Sequence, residues 1–223
     1  FKPEKAFNAQ LSYLERFRRR FLLLYGMCPD MVQFGLYVIP SAFGCRIVFK
    51  ESQPSKAVPL IEDPEQIPEL SKRIGLPDFR RDGYCPQGLD QLRWWSKNVP
   101  VDLREHYGYF DNYTVAIGVG DLAATILGPE NFLVGMRLHP EEMHKLLKLM
   151  EEAVVEWIRI QEEITGRTRK LFLIDHQNGM MPRKDFASFI IPYERELIRF
   201  CHGAIIIHHS ETDVTRDPGV VDD

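Results

Sequence analysis

Residues 170–211 read KLFLIDHQNGMMPRKDFASFIIPYERELIRFCHGAIIIHHSE. An apolar run at 171–174 stops abruptly at Asp175, His176, Gln177 and Asn178. A helical pattern follows and ends at Gly203, and a second apolar run, 204–207, ends in His208, His209, Ser210 and Glu211. Short continuous apolar runs on either side of a helix are the pattern of strands buried on both faces of a parallel sheet. Ionisable residues at the ends of both runs are expected where strands of an α/β barrel open onto their carboxyl-end face. Chemistry is therefore expected at these strand ends.

Working upstream, residues 113–119 are strand-like, 121–127 helical up to Gly128, and 131–138 helical again. His139-Pro140-Glu141-Glu142 opens a long helix, with proline in its first turn and acids at the positive end of its dipole. Its apolar face runs Met143, Leu147, Met150, Val154 and Trp157, and Gly166 ends it. Pro192 should kink or restart the helix that follows the 171–174 strand. The order β-α-β-α-β from Tyr113 onward predicts an α/β fold with parallel strands. Nearer the start, an amphipathic helix is expected over residues 6–25, strands over 31–39 and 43–49, and a proline-rich, acidic surface stretch from 52 that carries a short helix from about Pro68. Asp82-Gly83 reads as a turn, and 88–98 as a helix bearing Trp94 and Trp95, which read as core anchors. Five or six strands fall short of the eight that close a barrel. The chain thus reads as one incomplete barrel domain over residues 1–223, lacking an amino-terminal strand and carboxyl-terminal units.

With 223 residues, 44% hydrophobic and 27% charged, the chain has the composition of a globular protein large enough for a real core. A formal net charge of −4 gives no electrostatic case for nucleic acid, and Arg16, Arg18, Arg19 and Arg20 read as a solvated helix face. Cys28, Cys45, Cys85 and Cys201 are widely spread and read as free thiols in a reducing compartment. No apolar run approaches the roughly 20 residues of a membrane span, and residues 1–7 carry no signal-peptide pattern. A cytoplasmic protein is expected.

Three groups of residues could carry chemistry. Gly118-Val119-Gly120-Asp121-Leu122-Ala123 fits a relaxed dinucleotide fingerprint, but a second strand ending in an acid is missing downstream. Gly118, Gly120 and Asp121 are accordingly read as a tight turn lining a cofactor or substrate pocket. His209 and Glu211 lie two apart on a strand and share a face, as do His208 and Ser210. A His-x-Glu pair is half of a zinc site, and a histidine hydrogen-bonded to an acid without metal is the other reading. Asp175 follows four apolar residues, so its carboxylate should be partly buried and should need a partner. Asp175 and His176 are candidate catalytic residues, with Tyr193 added and Tyr113 and Glu194 as weaker candidates.

These residues carry a resemblance. Leu173-Ile174-Asp175, Met181-Pro182, Asp185-Phe186, Phe189, Pro192-Tyr193 and the strand into His209 resemble the uroporphyrinogen decarboxylase superfamily. So do Gly120-Asp121, Gly128-Pro129-Glu130-Asn131-Phe132, His139-Pro140-Glu141 and, upstream, Phe43-Gly44, Ile61-Glu62-Asp63-Pro64-Glu65 and Leu76-Pro77-Asp78. The order of these pieces covers most of the chain. The resemblance implies an (α/β)8 TIM-like barrel with its site at the carboxyl-end face. True decarboxylases of the superfamily hold substrate carboxylates with an amino-terminal RQAGR motif. Here Arg18-Arg19-Arg20 has no such glycine. The other branch contains corrinoid-dependent methyltransferases, several of which bind zinc through a His-x-Cys pair on this strand plus a later cysteine. In that alignment His209 takes the histidine's place and Glu211 the cysteine's, or His208 and Ser210 do. The departure implies a carboxylate-ligated or metal-free site. The resemblance thus implies methyl transfer involving a corrinoid (cobalamin) on a partner protein, with zinc as a further cofactor. Its alternatives are decarboxylation of a tetrapyrrole and a barrel that binds without turnover. Expected partners are a small-molecule methyl donor or tetrapyrrole, a corrinoid protein and a second copy in a homodimer.

Overall fold

The computed structural model describes residues 37–50, 53–100 and 113–210, with residue 102 and some positions between 2 and 16. The expected helix over 6–25 is helical at its described positions 7–9, 11–12 and 15–16, where Phe7 packs edge-on against Trp95.

The carboxyl-terminal half follows the β-α-β-α-β reading. Strand β3 (Tyr113–Ile117), β4 (Lys170–Ile174) and β5 (Ile205–His209) form a parallel sheet in the order β3-β4-β5. Between β3 and β4 lie three helices: α4 (Val119–Leu127), α5 (Pro129–Leu138) and α6 (Pro140–Thr165). Gly128 and Gly166 end α4 and α6 with φ of 90° and 84°, backbone that side-chain-bearing residues rarely adopt. Between β4 and β5 the chain makes a short helix at Arg183–Asp185, a π-turn at Phe186–Ile190 and then α7 (Ile191–Phe200). Pro192 has no N–H to give, so the ladder widens into the π-turn before it and restarts with proline in the first turn of α7.

The first half departs from expectation in two places. The sequence predicts Val38 and Ile39 as the end of a strand, yet they begin a short helix, α1 (Val38–Ala42). Pro40 fits because it lies in the first turn, where its missing N–H costs nothing. Ser41 also closes the turn, donating its hydroxyl to the Val38 carbonyl at 2.6 Å and accepting the Tyr84 N–H at 2.8 Å. The proline-rich stretch predicts a surface wrap, yet it contributes β2 (Gln53–Val58), paired antiparallel with β1 (Arg46–Lys50). Helices α2 (Ile67–Arg73) and α3 (Cys85–Asn98) follow as the sequence suggests.

One core joins these parts. Helix α6 packs against β3, α2, α3, α4 and α7, burying Met143, Leu147, Met150, Val154 and Trp157, the face expected of it. Trp95, Trp157 and Phe79 are its largest anchors, the last two meeting edge to face at 5.8 Å. Burial of β4, however, is one-sided. Leu171 and Leu173 are fully buried on the helix side, while Phe172 and Ile174 are half-buried on the other. On β5, Ile205 and Ile207 are exposed. Among the described residues, helices cover one face of this sheet, and no closed barrel forms.

Candidate active site

Strand register brings the expected residues to one end of the sheet. Ile117, Ile174 and His209 lie in one row across β3, β4 and β5. One step further, the Gly118 N–H donates to the Ile174 carbonyl at 2.6 Å and the Asp175 N–H donates to the His209 carbonyl at 2.9 Å. The polar ends of the two apolar runs therefore meet.

Alternation then sorts them onto two faces. Asp175 follows Leu171 and Leu173 to the helix side and is completely buried. His208 is in register with Leu173, so it shares that side, and its Nε2 lies 3.4 Å from Asp175 Oδ2. On the open face, His209 Nδ1 lies 3.1 Å from His176 Nε2, and its ring is 5.3 Å from that of Phe172. The two adjacent histidines thus serve opposite faces, as strand geometry requires. Glu211, expected to share a metal with His209, lies outside the described residues.

Beneath the imidazoles is a layer of acid. Asp121, in the first turn of α4, and Glu194, in the first turn of α7, are buried beside Asp175. Burial, the nearby Asp175 and then Asp121 push the Glu194 carboxyl well above the ordinary carboxylate range, against a Val119 backbone N–H that favours its charged form. Glu194 Oε1 receives no donor from any other group, and its carboxyl hydrogen-bonds that of Asp175 once one of the two holds a proton.

Gly118 makes this convergence sterically feasible. A Cβ there would stand 2.9 Å from Asp175 Cγ and 3.1 Å from Glu194 Oε1. Its φ of −64° is ordinary, so closeness alone demands glycine. Asp121 Oδ1 accepts the His176 N–H at 2.9 Å, placing the protein's own carboxylate at the amino end of α4, where a nucleotide phosphate would bind. Gly120 is buried within the first turn of that helix. The turn therefore holds the end of β4.

Tyr193 is placed elsewhere. Its hydroxyl lies 2.8 Å from His144 Nδ1 and donates to the His144 carbonyl at 3.1 Å, while the His144 ring stacks on Phe189 at 4.5 Å. It ties α7 to α6. Its neighbour Glu194, the weaker candidate from sequence, is the one that reaches the strand ends. The signal was an acid in the first turn of a helix restarted by proline, but no spacing rule connects position 194 to 175.

With the site's geometry in place, comparison with known proteins is decisive about kinship. The sequence profile of the uroporphyrinogen decarboxylase (URO-D) family matches residues 1–216. The chain belongs to this family. A uroporphyrinogen decarboxylase of the fission yeast Schizosaccharomyces pombe is 26% identical over 214 residues, covering 89% of this chain and 51% of that protein. The chain thus spans about half the length of the curated relative it matches. No helix among the described residues of this URO-D-family chain is long and apolar enough to cross a membrane.

Proposed function

We propose that β3, β4 and β5 are consecutive staves of a URO-D-type (α/β)8 barrel, and that the face carrying His176 and His209 is its working interior. Parallel strands in chain order, with helices on one face and half-buried side chains on the other, support that placement. The reaction we assign is methyl transfer between a small molecule and a corrinoid carried by a partner protein.

The observation that carries this reading is the pair of imidazoles 3.1 Å apart on the open face. Methyl transfer moves CH3 as a cation equivalent, so a thiol that accepts it from the methyl-corrinoid releases its proton as the S–C bond forms and the Co–C bond breaks, its electron pair staying on cobalt. A neutral imidazole held by a second imidazole takes that proton, and the other ring shares the charge. Asp175 and Asp121 fix the two rings through the backbone, since one donates its N–H to the His209 carbonyl and the other accepts the His176 N–H. His176 and His209 are then the catalytic pair, and Asp121 and Asp175 are positioning residues.

Decarboxylation of a tetrapyrrole is the second reading, favoured by the name of the yeast relative. An acidic tetrapyrrole needs cations to receive its carboxylates. Yet among the described residues arginine ion pairs such as Arg80–Glu163, Arg93–Asp90, Arg137–Asp185, Arg159–Glu156 and Arg199–Glu196 lie on helices and loops, while the buried carboxyls of Asp121, Asp175 and Glu194 gather beside the strand ends. The test supplies the protein with methylcobalamin and a panel of thiol acceptors in one arm and uroporphyrinogen in the other. Demethylation of the cobalamin, cut at least tenfold by His209→Ala, supports methyl transfer. Release of carbon dioxide from the tetrapyrrole would overturn it in favour of the second reading, and inertness in both arms would leave a barrel that only binds.

A further inference from the structure

The helix side of the same strand ends holds a second constellation that the imidazole pair does not use. One donor atom each from Asp175 on β4, Glu194 on α7 and His208 on β5 lies within 4.8 Å of the other two. Asp175 is wholly buried and Glu194 is 7% exposed, whereas the His208 side chain is 42% exposed. We propose that these three residues bind a divalent metal ion of the zinc type, which pins β4, β5 and α7 together on the face opposite His176 and His209.

Chemistry and geometry both point there. Two carboxyls buried side by side cannot both ionise without a partner, so one keeps a proton, and a divalent cation can displace that proton and cancel both charges without leaving an unpaired ion in the core. Glu194 Oε1, buried and facing no donor other than a protonated Asp175 carboxyl, comes with Asp175 Cγ to about the same spot over Gly118. Two oxygens and one imidazole nitrogen suit zinc, whose ligands at about 2.0–2.2 Å would stand roughly 3.4 Å apart in a tetrahedron. The present spacing closes to that by a movement of about 1 Å, which the exposed His208 ring is free to make. Because the His208 side chain is 42% exposed, a water from that side would supply the fourth ligand. This set differs from a His209–Glu211 pair in ligands and in face, so it stands whether or not the reaction is methyl transfer.

The test uses protein purified without a histidine tag, stripped with chelator and titrated with zinc chloride alone. Calorimetry should show one zinc per chain, and saturating zinc should raise the melting temperature, because the ion binds the folded form only. Glu194→Gln keeps size and removes the ligand charge, and His208→Ala alters an exposed side chain, so both should fold. Each should weaken zinc at least tenfold and abolish the thermal shift, and His209→Ala should leave both unchanged. If Glu194→Gln and His208→Ala bind zinc as the unaltered protein does, or the unaltered protein binds none, the site does not exist and the carboxyls simply share a proton. Loss of zinc in His209→Ala alone would move the ion to the open face and likewise overturn the proposal.

Discussion

Gly118 and Asp175 lie so close that the space a methyl group would need at 118 is taken by the aspartate side chain, with 2.9 Å to its Cγ. The end of β3 can therefore accept a buried carboxylate from β4 only while position 118 is bare. Gly118→Ala leaves backbone conformation permitted, so its cost is overpacking, about 1–3 kcal/mol. Urea denaturation should show that loss, and the activity of the His176–His209 face should fall with it because Asp175 also holds β5 through the His209 carbonyl. An alanine variant of unchanged stability would mean that the strand ends are looser than the structure shows.

How much of this was legible follows from where the information lies. The apolar runs ending in Asp175 and His208, and glycines at 128, 166 and 203 with φ near +90°, are local signals, so α4 to β5 followed from sequence. Strand β2 did not, because its QPSKAV becomes a strand only by pairing with β1. Val38 and Ile39 favour strands by type, and a hydroxyl at Ser41 and a proline in the first turn turned them into helix. Asp175 and His176 were visible as polar ends of a buried run. Glu194 joins them through the path of a π-turn and a restarted helix, which no periodicity records.

Arg137 and Asp185 form a pair with unequal exposure, 63% for the arginine side chain and 8% for the aspartate. Removing the arginine strands a buried carboxylate, so Arg137→Ala should cost about 1–3 kcal/mol. Asp185→Asn, which removes the charge as well, should cost less, and the double variant should be no worse than Arg137→Ala alone. Urea melts of the three variants, analysed as a double-mutant cycle, check this order.

The thiols supply a pH prediction. Burial raises Cys45 to about 12, burial and then Asp82 raise Cys85 to about 12, and burial and then Glu162 raise Cys201 to about 11. An unfolded cysteine titrates near 8.5, so between that pH and 11–12 the unfolded chain has released protons that the folded chain keeps. Stability from these groups is therefore complete below pH ~8.5 and declines as pH rises toward 11–12. Melting temperature should fall across that alkaline window. At pH 8 a thiol reagent should leave these three unmodified in the folded protein and reach all four cysteines in denaturant.

Thr114 and Thr168 test whether the sheet is held as described. Their hydroxyls lie 2.8 Å apart at the amino end of β3 and in the turn before β4, and both residues are buried. Each hydroxyl is the other's partner, since one donates and one accepts. Thr114→Val keeps the shape and leaves the Thr168 hydroxyl buried without that bond, at a cost of about 1–3 kcal/mol. Thr168→Val should cost a similar amount by the reciprocal loss. With both replaced, no polar group is stranded, so the double variant should recover much of the stability that either single change removes. The coupling measured by the cycle should be favourable by about 1 kcal/mol or more. Strict additivity of the two substitutions would mean that the hydroxyls do not meet, and the register that carries Asp175 to the end of β3 would lose its support.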